Sequence, residues 1–86
     1  MTKDRVIEYP VTTEDAVKLI ETENKITFIV NLKANKTEIK KAVEMLYDVK
    51  VYKVHTLISQ KGLKKAYVQL KPEYKASDLA VKVGVL

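Results

Sequence analysis

The sequence predicts an α+β sandwich, in which helices cover a small and mainly antiparallel sheet. Three observations lead to this prediction: a helix followed directly by a strand over residues 35–54, an alternating apolar strand over 26–33, and a hairpin between 49 and 70. The predicted order of the long elements is helix, strand, helix, strand, strand, helix. A right-handed crossover through the second helix leaves a gap in the sheet, and we expect the returning hairpin strand to fill it.

The first part of the chain predicts an edge strand, a helix and a buried strand. Residues 6–9 are mainly apolar and end at Pro10, which cannot donate a hydrogen bond to a sheet and is typical of an edge. Thr12 is the expected N-cap of a helix that runs from residue 13 to about residue 21. Residues 26–33 then alternate in apolar character, which predicts a strand with one strongly apolar face.

The second helix carries the clearest signals in the chain. The side-chain oxygen of Asn35 can cap this helix, while Glu38 can bond back to the backbone N–H of Asn35, as in a capping box. The apolar residues that follow are spaced so that they share one face, and we expect that face to cover the sheet. These residues are Ile39, Ala42, Val43 and Leu46.

The second half of the chain predicts a hairpin and a last helix. A strand over residues 49–59 changes its apolar phase near Tyr52, which predicts a β-bulge at that point. A short turn leads into a returning strand over 65–70. Ser77 is the expected N-cap of the last helix, and Gly84 suits its C-terminal end.

Length and composition limit the possible functions. The 86 residues suffice for one domain, and the absence of cysteine excludes a disulfide, a thiolate metal site and a cysteine nucleophile. One histidine, two distant serines and two glycines form no recognisable catalytic or phosphate-binding motif, so we expect no enzyme, no cofactor and no metal site. No apolar run approaches the ~20 residues of a membrane span and no signal peptide is evident, so we expect a cytosolic protein without membrane insertion.

The positive charge of the chain is concentrated in one segment. Residues 49–75 contain seven lysines and one acid, a net charge of +6, while the rest of the chain carries −1. Such asymmetry favours contact with a polyanion. A lysine-rich surface that serves only solubility is the alternative.

The two strands of the hairpin are expected to place lysine, aromatic and polar side chains on one surface. Lys65 and Tyr67 of the returning strand should lie opposite Lys53 and His55 of the outgoing strand. Lysine beside an aromatic ring is typical of sites that hold single-stranded nucleic acid. Tyr67 could equally be a structural tyrosine and His55 a packed or surface residue, so both alternatives stay open.

Two further groups of charged residues lie at a predicted turn and a predicted helix start. Lys61, Lys64 and Lys65 lie within five residues and have no acidic neighbour, so we expect the turn to expose them to phosphates. Glu14 and Asp15 fall in the first turn of the first helix. Their charge favours the helix dipole there, and that local role needs no partner.

Six segments carry a resemblance to a known family. They are YPVTTEDA, NKITFIV, ANKTEIKKAVEMLYDVKV, the V-x-x-V-x-T pattern of residues 51–56, KKAYVQL and the C-terminal A-x-x-V-G-V-L. In their order and spacing they resemble large-subunit ribosomal protein twenty-three in its short archaeal form, over nearly the whole chain. Two departures stand out: His55 replaces the usual asparagine, and the turn QKGL is much shorter than the long bacterial loop.

The resemblance implies a three-layer α/β/α sandwich that binds large-subunit ribosomal RNA beside the mouth of the peptide exit tunnel, among neighbouring ribosomal proteins. It also implies a docking site for factors that meet the nascent chain, with Glu14 at the docking position. In an archaeon these factors would be the signal recognition particle and the protein-conducting channel. The candidate RNA-binding residues, from the resemblance and the basic surface together, are Tyr9, Pro10, Lys53, His55, Thr56, Lys61, Lys64, Lys65 and Tyr67.

Two other functions are compatible with the sequence. One is a free-standing RNA-binding or RNA-chaperone domain of similar α+β layout, and the other is a small-molecule regulatory domain that dimerises through its sheet. A regulatory domain has no evident need for the basic segment 49–75. Only the ribosomal protein is expected to co-sediment with large subunits in high salt.

Overall fold

The computed structural model describes residues 5–86, which form four strands and three helices in the order strand, helix, strand, helix, strand, strand, helix. The strands are β1 (Ile7–Pro10), β2 (Lys25–Val30), β3 (Val51–Ile58) and β4 (Lys64–Leu70). The helices are α1 (Glu14–Glu23), α2 (Lys36–Tyr47) and α3 (Ala76–Val83). The α+β class and the order of the elements are confirmed, and so is the edge strand at the start. Within the described range, every helix is too short or too polar to cross a membrane.

The strands form one sheet in the order β1-β2-β4-β3, and each neighbouring pair is antiparallel. The returning hairpin strand β4 therefore lies between β2 and β3, as the sequence predicted. Because β2 and β3 both pair antiparallel with β4, they run parallel to each other. β1 and β3 are left as the edges of the sheet.

The two faces of the sheet are covered to different extents. On the first face, Phe28 of β2 packs into a core with Ile39 of α2 and Leu79 of α3. On the second face, Thr27 of β2 is also buried, and it lines a hollow together with Ala16 of α1. Helices thus lie on both sides of β2, which gives the three layers. The core of the domain is on the first face.

Helix α2 begins as predicted but covers the sheet differently at its end. The capping box is present: the Glu38 N–H donates to Asn35 Oδ1 at 2.8 Å, and the Asn35 N–H donates to Glu38 Oε1 at 3.0 Å. Ile39 and Val43 are fully buried. Leu46 is 63% exposed, so its predicted place in the core is wrong. The next residue, Tyr47, packs against the core instead.

The other two helices begin at residues different from those predicted. Thr13 caps α1, and its Oγ1 accepts a hydrogen bond from the Ala16 N–H at 3.3 Å, so Thr12 is not the cap. Lys75 is the N-cap of α3 and makes no side-chain capping bond. Ser77, the predicted cap, lies inside α3. The start of α3 is held by a residue far away in the sequence, because the Ala76 N–H donates to Asn24 Oδ1 at 2.7 Å.

Candidate nucleic-acid interface

The second face of the sheet is exposed along β3 and half-buried along β4. Along β2, Thr27 and Ile29 point to this face and are buried. Along β3, Lys53 and His55 point to the same face and are exposed. Helix α1 therefore covers the β2 side of the face and leaves the β3 side accessible to a partner.

Three cross-strand pairs make up the accessible region, which is called the open face below. Lys53 lies opposite Gln69, His55 opposite Tyr67, and Leu57 opposite Lys65. The pairing confirms the predicted alignment of basic and aromatic residues across the hairpin. Side chains directly opposite in an antiparallel pair have Cβ atoms about 4.5–5.5 Å apart, so the two rings at the centre are neighbours. A lysine lies on each side of this aromatic pair, and none of the six residues is acidic.

The first turn of α1 borders the open face. Lys65 and Tyr67 line a hollow of about 240 Å³ together with Thr13 and Asp15. Asp15 is therefore an acidic neighbour of the open face on the α1 side. Glu14, the proposed docking residue, is exposed in the same helical turn and forms no ion pair with any residue from 5 to 86. The position suits both a helix-dipole role and contact with a partner.

A tight turn presents Lys61 beyond the end of the open face. The Ser59 N–H donates to Leu63 O at 2.8 Å, and the Gly62 N–H donates back to Ser59 O at 2.9 Å. Gly62 has a φ of 80°, which a residue with a side chain rarely adopts. Lys61 is exposed beside this glycine, as the sequence predicted.

Lys64 is the main departure from the predicted basic turn. It opens β4 opposite Ile58 and Val30, on the side of the core, so the alternation of the strand turns it away from Lys65. Its Nζ donates to the Ala34 backbone oxygen at 2.6 Å and the residue is half-buried. The prediction that the turn exposes all three lysines is therefore wrong for Lys64, and Lys65 lies inside β4 and is half-buried as well. This lysine ties the hairpin to the segment before α2.

Three more of the candidate residues lie apart from the open face. Thr56 is half-buried opposite Ala66 and points to the core side of β3. Tyr9 and Pro10 belong to β1, at the opposite edge of the sheet from β3. Tyr9 is exposed there and lines a groove with Met45 of α2. The fold thus brings together Lys53, His55, Lys65 and Tyr67, with Lys61 beyond them.

A β-bulge lies at Tyr52, as the sequence predicted, but the exposed position of this side chain beside Lys53 was not predicted. Val51 pairs with Leu70 and Lys53 pairs with Gln69, so Tyr52 is the extra residue. Its ring is exposed beside Lys53. The shift in apolar phase was the available signal, because an extra residue in a strand puts two consecutive side chains outside the core.

No group of three or more His, Cys, Asp or Glu side chains in the described range could hold a metal ion. The chemistry that the open face does offer is charge and stacking. Lysine side chains bind phosphate oxygens, and aromatic rings bind the faces of bases.

Comparison with known proteins agrees with the resemblance noted in the sequence. The family model described as Ribosomal protein L23 matches residues 5–77. The protein named Large ribosomal subunit protein uL23 from Trypanosoma brucei brucei is 56% identical over 82 residues, which is 95% of this chain and 50% of the relative. This chain therefore spans about half the length of that relative. On the strength of both matches, the chain belongs to the ribosomal protein L23 family.

Proposed function

We propose that this chain is a structural component of the large ribosomal subunit and that it binds large-subunit ribosomal RNA. Membership of the L23 family supports the ribosomal role, because the matched relative is named as a protein of the large subunit. This proposal uses only the part of the relative that matches this chain. What the proposal assigns to the chain is the binding of RNA by one folded domain.

The observation that carries the RNA-binding part of the proposal is the composition of the open face. Lys53 and Lys65 lie on either side of the His55–Tyr67 pair, and none of the six residues of the open face is acidic, with Asp15 of α1 as the one acidic neighbour named above. A polyanion with exposed ring faces is the partner that such a surface fits, because phosphates pair with the lysines while bases stack on the rings. Lys61 extends the positive charge past the end of the sheet.

The role that follows is holding RNA in place rather than changing it. Lysine contacts with phosphates position a protein on RNA without reading the sequence. In this proposal, Tyr9 and Pro10 touch RNA at the β1 edge, while Thr56 and Lys64 support the hairpin from the core side.

The finer part of the proposal concerns the surface left outside the RNA. The family resemblance suggests a location in the cytoplasm beside the peptide exit tunnel, next to neighbouring large-subunit proteins. Glu14 is exposed at the start of α1 and is the residue proposed to meet factors such as the signal recognition particle and the protein-conducting channel. Its single charge suits a contact that is weak and reversible.

Sedimentation tests the central proposal. Tagged protein is expressed in cells, and the extract is run through a gradient after a high-salt wash. The protein is expected to co-sediment with large subunits. Protein that binds RNA fragments but stays at the top of the gradient would instead be a free-standing RNA-binding domain, and the ribosomal assignment would be abandoned.

A further inference from the structure

Tyr52 lies at a hollow that adjoins the open face at the end of the hairpin remote from the turn. The hollow has a volume of about 450 Å³, and its walls come from Asn24, Tyr52, Gln69, Leu70 and Pro72. Tyr52 is 64% exposed there. A large aromatic side chain with this exposure, beside an apolar wall, is a feature of a binding surface more than of a folded core.

The β-bulge is what leaves Tyr52 and Lys53 side by side outside the core. In a regular strand, Tyr52 would follow the buried Val51 to the opposite face, and Lys53 would return to the core. In β3 the core residues are Val51 and Val54, so Tyr52 and Lys53 are both left outside. Bulges commonly re-aim a side chain in this way, and here the result is an aromatic ring beside a lysine.

The side-chain amides of Asn24 and Gln69, which both line the hollow, differ in how many hydrogen bonds they already make. The Asn24 side-chain amide donates to Leu70 O at 3.3 Å and to Tyr74 O at 2.8 Å. Its oxygen accepts from the Ala76 N–H. Gln69 is half-buried, and no described residue forms a hydrogen bond with its side chain. Gln69 can therefore offer both a donor and an acceptor to a ligand.

The rim of the hollow is basic. Lys53 lies opposite Gln69 and is exposed, and Lys71, next to Leu70, is exposed as well. Two acids are near in sequence, namely Glu73 and Glu23. Glu23 is already paired, since its Oε1 lies 2.9 Å from Lys25 Nζ. The balance of charge at this rim favours an anionic ligand over a basic or apolar peptide.

We propose that this hollow holds one unpaired nucleobase of the RNA bound by the open face. The base stacks on the Tyr52 ring, its edge bonds to the Gln69 amide, and its phosphate pairs with Lys53. This inference rests on the proposed RNA-binding function and adds the class of ligand, namely an unpaired base. A base inside a duplex cannot stack on Tyr52, because neighbouring bases cover both of its faces. Tyr52 and Gln69 thereby become RNA-binding residues.

Filter binding of the full chain to a large-subunit ribosomal RNA fragment tests the inference. The variants are Tyr52→Ala, Tyr52→Phe, Lys53→Ala and the control Val81→Ala, whose side chain is exposed on α3. Tyr52→Ala is expected to bind roughly ten-fold more weakly, as befits the loss of one stacked base. Tyr52→Phe keeps the ring and is expected to bind within about two-fold of the original. Circular dichroism checks that each variant is folded.

The salt dependence separates stacking from charge. Lys53→Ala is expected to lower the slope of log K against log salt by about 0.7, whereas Tyr52→Ala is expected to leave the slope unchanged. A second arm compares a single strand of about 12 nucleotides with the same strand in a duplex. The loss in Tyr52→Ala is expected on the single strand and not on the duplex.

Several results would overturn the inference. If Tyr52→Ala binds RNA as tightly as the original chain, no base stacks on Tyr52. The same conclusion follows if Tyr52→Phe binds as weakly as Tyr52→Ala. An equal loss on single strand and duplex removes the claim of an unpaired base. If instead the unaltered chain and all variants fail to bind any large-subunit RNA fragment, the proposed function itself fails, and the inference falls with it. If Tyr52→Ala binds RNA normally but no longer binds a neighbouring protein, the hollow is a contact for that protein and not for a base.

Discussion

The rings of Phe28 and Tyr47 lie nearly parallel, with their centroids 5.9 Å apart and 7° between their planes. Phe28 is fully buried at the centre of β2, and Tyr47 is the last residue of α2. The stack therefore fastens the C-terminal end of the helix to the middle of the sheet. It also explains why Leu46 is exposed, since the neighbouring tyrosine occupies the place over the sheet that the apolar spacing assigned to leucine.

Two truncations on α2 test this orientation of the helix. Ile39→Ala is expected to lower the free energy of unfolding by about 2–5 kcal/mol, because Ile39 is fully buried and its loss leaves a cavity. Leu46→Ala is expected to cost less than about 0.5 kcal/mol, as is usual at the surface. Urea unfolding measures both. A larger loss for Leu46→Ala than for Ile39→Ala would mean that the helix is rotated relative to this description.

Asn24 is predicted to be the most important polar side chain for stability. It ends α1 with a φ of 56° and binds the ends of β4 and α3 through its amide. Asn24→Ala is expected to cost about 2–4 kcal/mol, because the loss of the amide leaves part-buried backbone groups unpaired. Asp48 is the matched control, since it has the same φ and no side-chain hydrogen bond to the described residues. Asp48→Ala should cost only about 1 kcal/mol, the usual penalty of the left-handed conformation.

Thr27 carries a hydroxyl that the fold does not use. The residue is 2% exposed, and its Oγ1 has no hydrogen-bond partner among residues 5–86. Thr27→Val replaces the hydroxyl with a methyl group of similar shape and is expected to raise the free energy of unfolding by roughly 1 kcal/mol. The same change at Thr13 removes the cap of α1 and should lower stability by about 0.5–2 kcal/mol. Thermal unfolding of the two variants should therefore shift in opposite directions.

The elements that could be predicted from the sequence are those with local causes. The capping box at Asn35 and Glu38 and the bulge at Tyr52 depend on neighbouring residues, and both are present. The place of β4 between β2 and β3 followed from the hairpin and the crossover. The start of α3 could not be read locally, because it is held by Asn24, 52 residues earlier in the chain.

The features of the candidate site also divide into those with a local cause in the sequence and those that depend on distant residues. His55 and Tyr67 are paired because hairpin register follows from a short turn, which the sequence contains. Lys64 was misassigned because charge suggests exposure, while strand alternation turns this residue toward the core. The oxygen that accepts its hydrogen bond belongs to Ala34, which no local pattern links to the hairpin. A lysine can lie along the core in this way because its long aliphatic stem is apolar.

The proposed docking role of Glu14 has a measurable consequence. Ribosomes carrying Glu14→Ala are expected to bind signal recognition particle about two- to five-fold more weakly, as is typical of one exposed ion pair. Incorporation of the variant into large subunits should be unchanged. Glu21→Ala is the control, because Glu21 is exposed on the same helix outside its first turn. Unchanged binding in both variants would leave Glu14 with its helix-dipole role alone.

The lysines of the open face and of the adjoining turn are expected to dominate the salt dependence of RNA binding. Replacing Lys53, Lys61 and Lys65 by alanine should reduce the slope of log K against log salt by about 2, because each lysine that neutralises a phosphate releases counterions. Lys64 is left in place, since its hydrogen bond to Ala34 O supports the hairpin. Binding to a large-subunit RNA fragment is measured across a salt series.

The control for this experiment removes an equal charge from the rest of the surface. Lys18, Lys40 and Lys82 are exposed on α1, α2 and α3, outside the basic segment. Their triple alanine variant should keep nearly the original slope, because helix lysines remote from the open face neutralise no phosphate in the proposed complex. The two variants have the same net charge, so the difference between their slopes depends on position. Equal slopes would show that RNA binding reflects general surface charge, and the open face would lose its claim to be the interface.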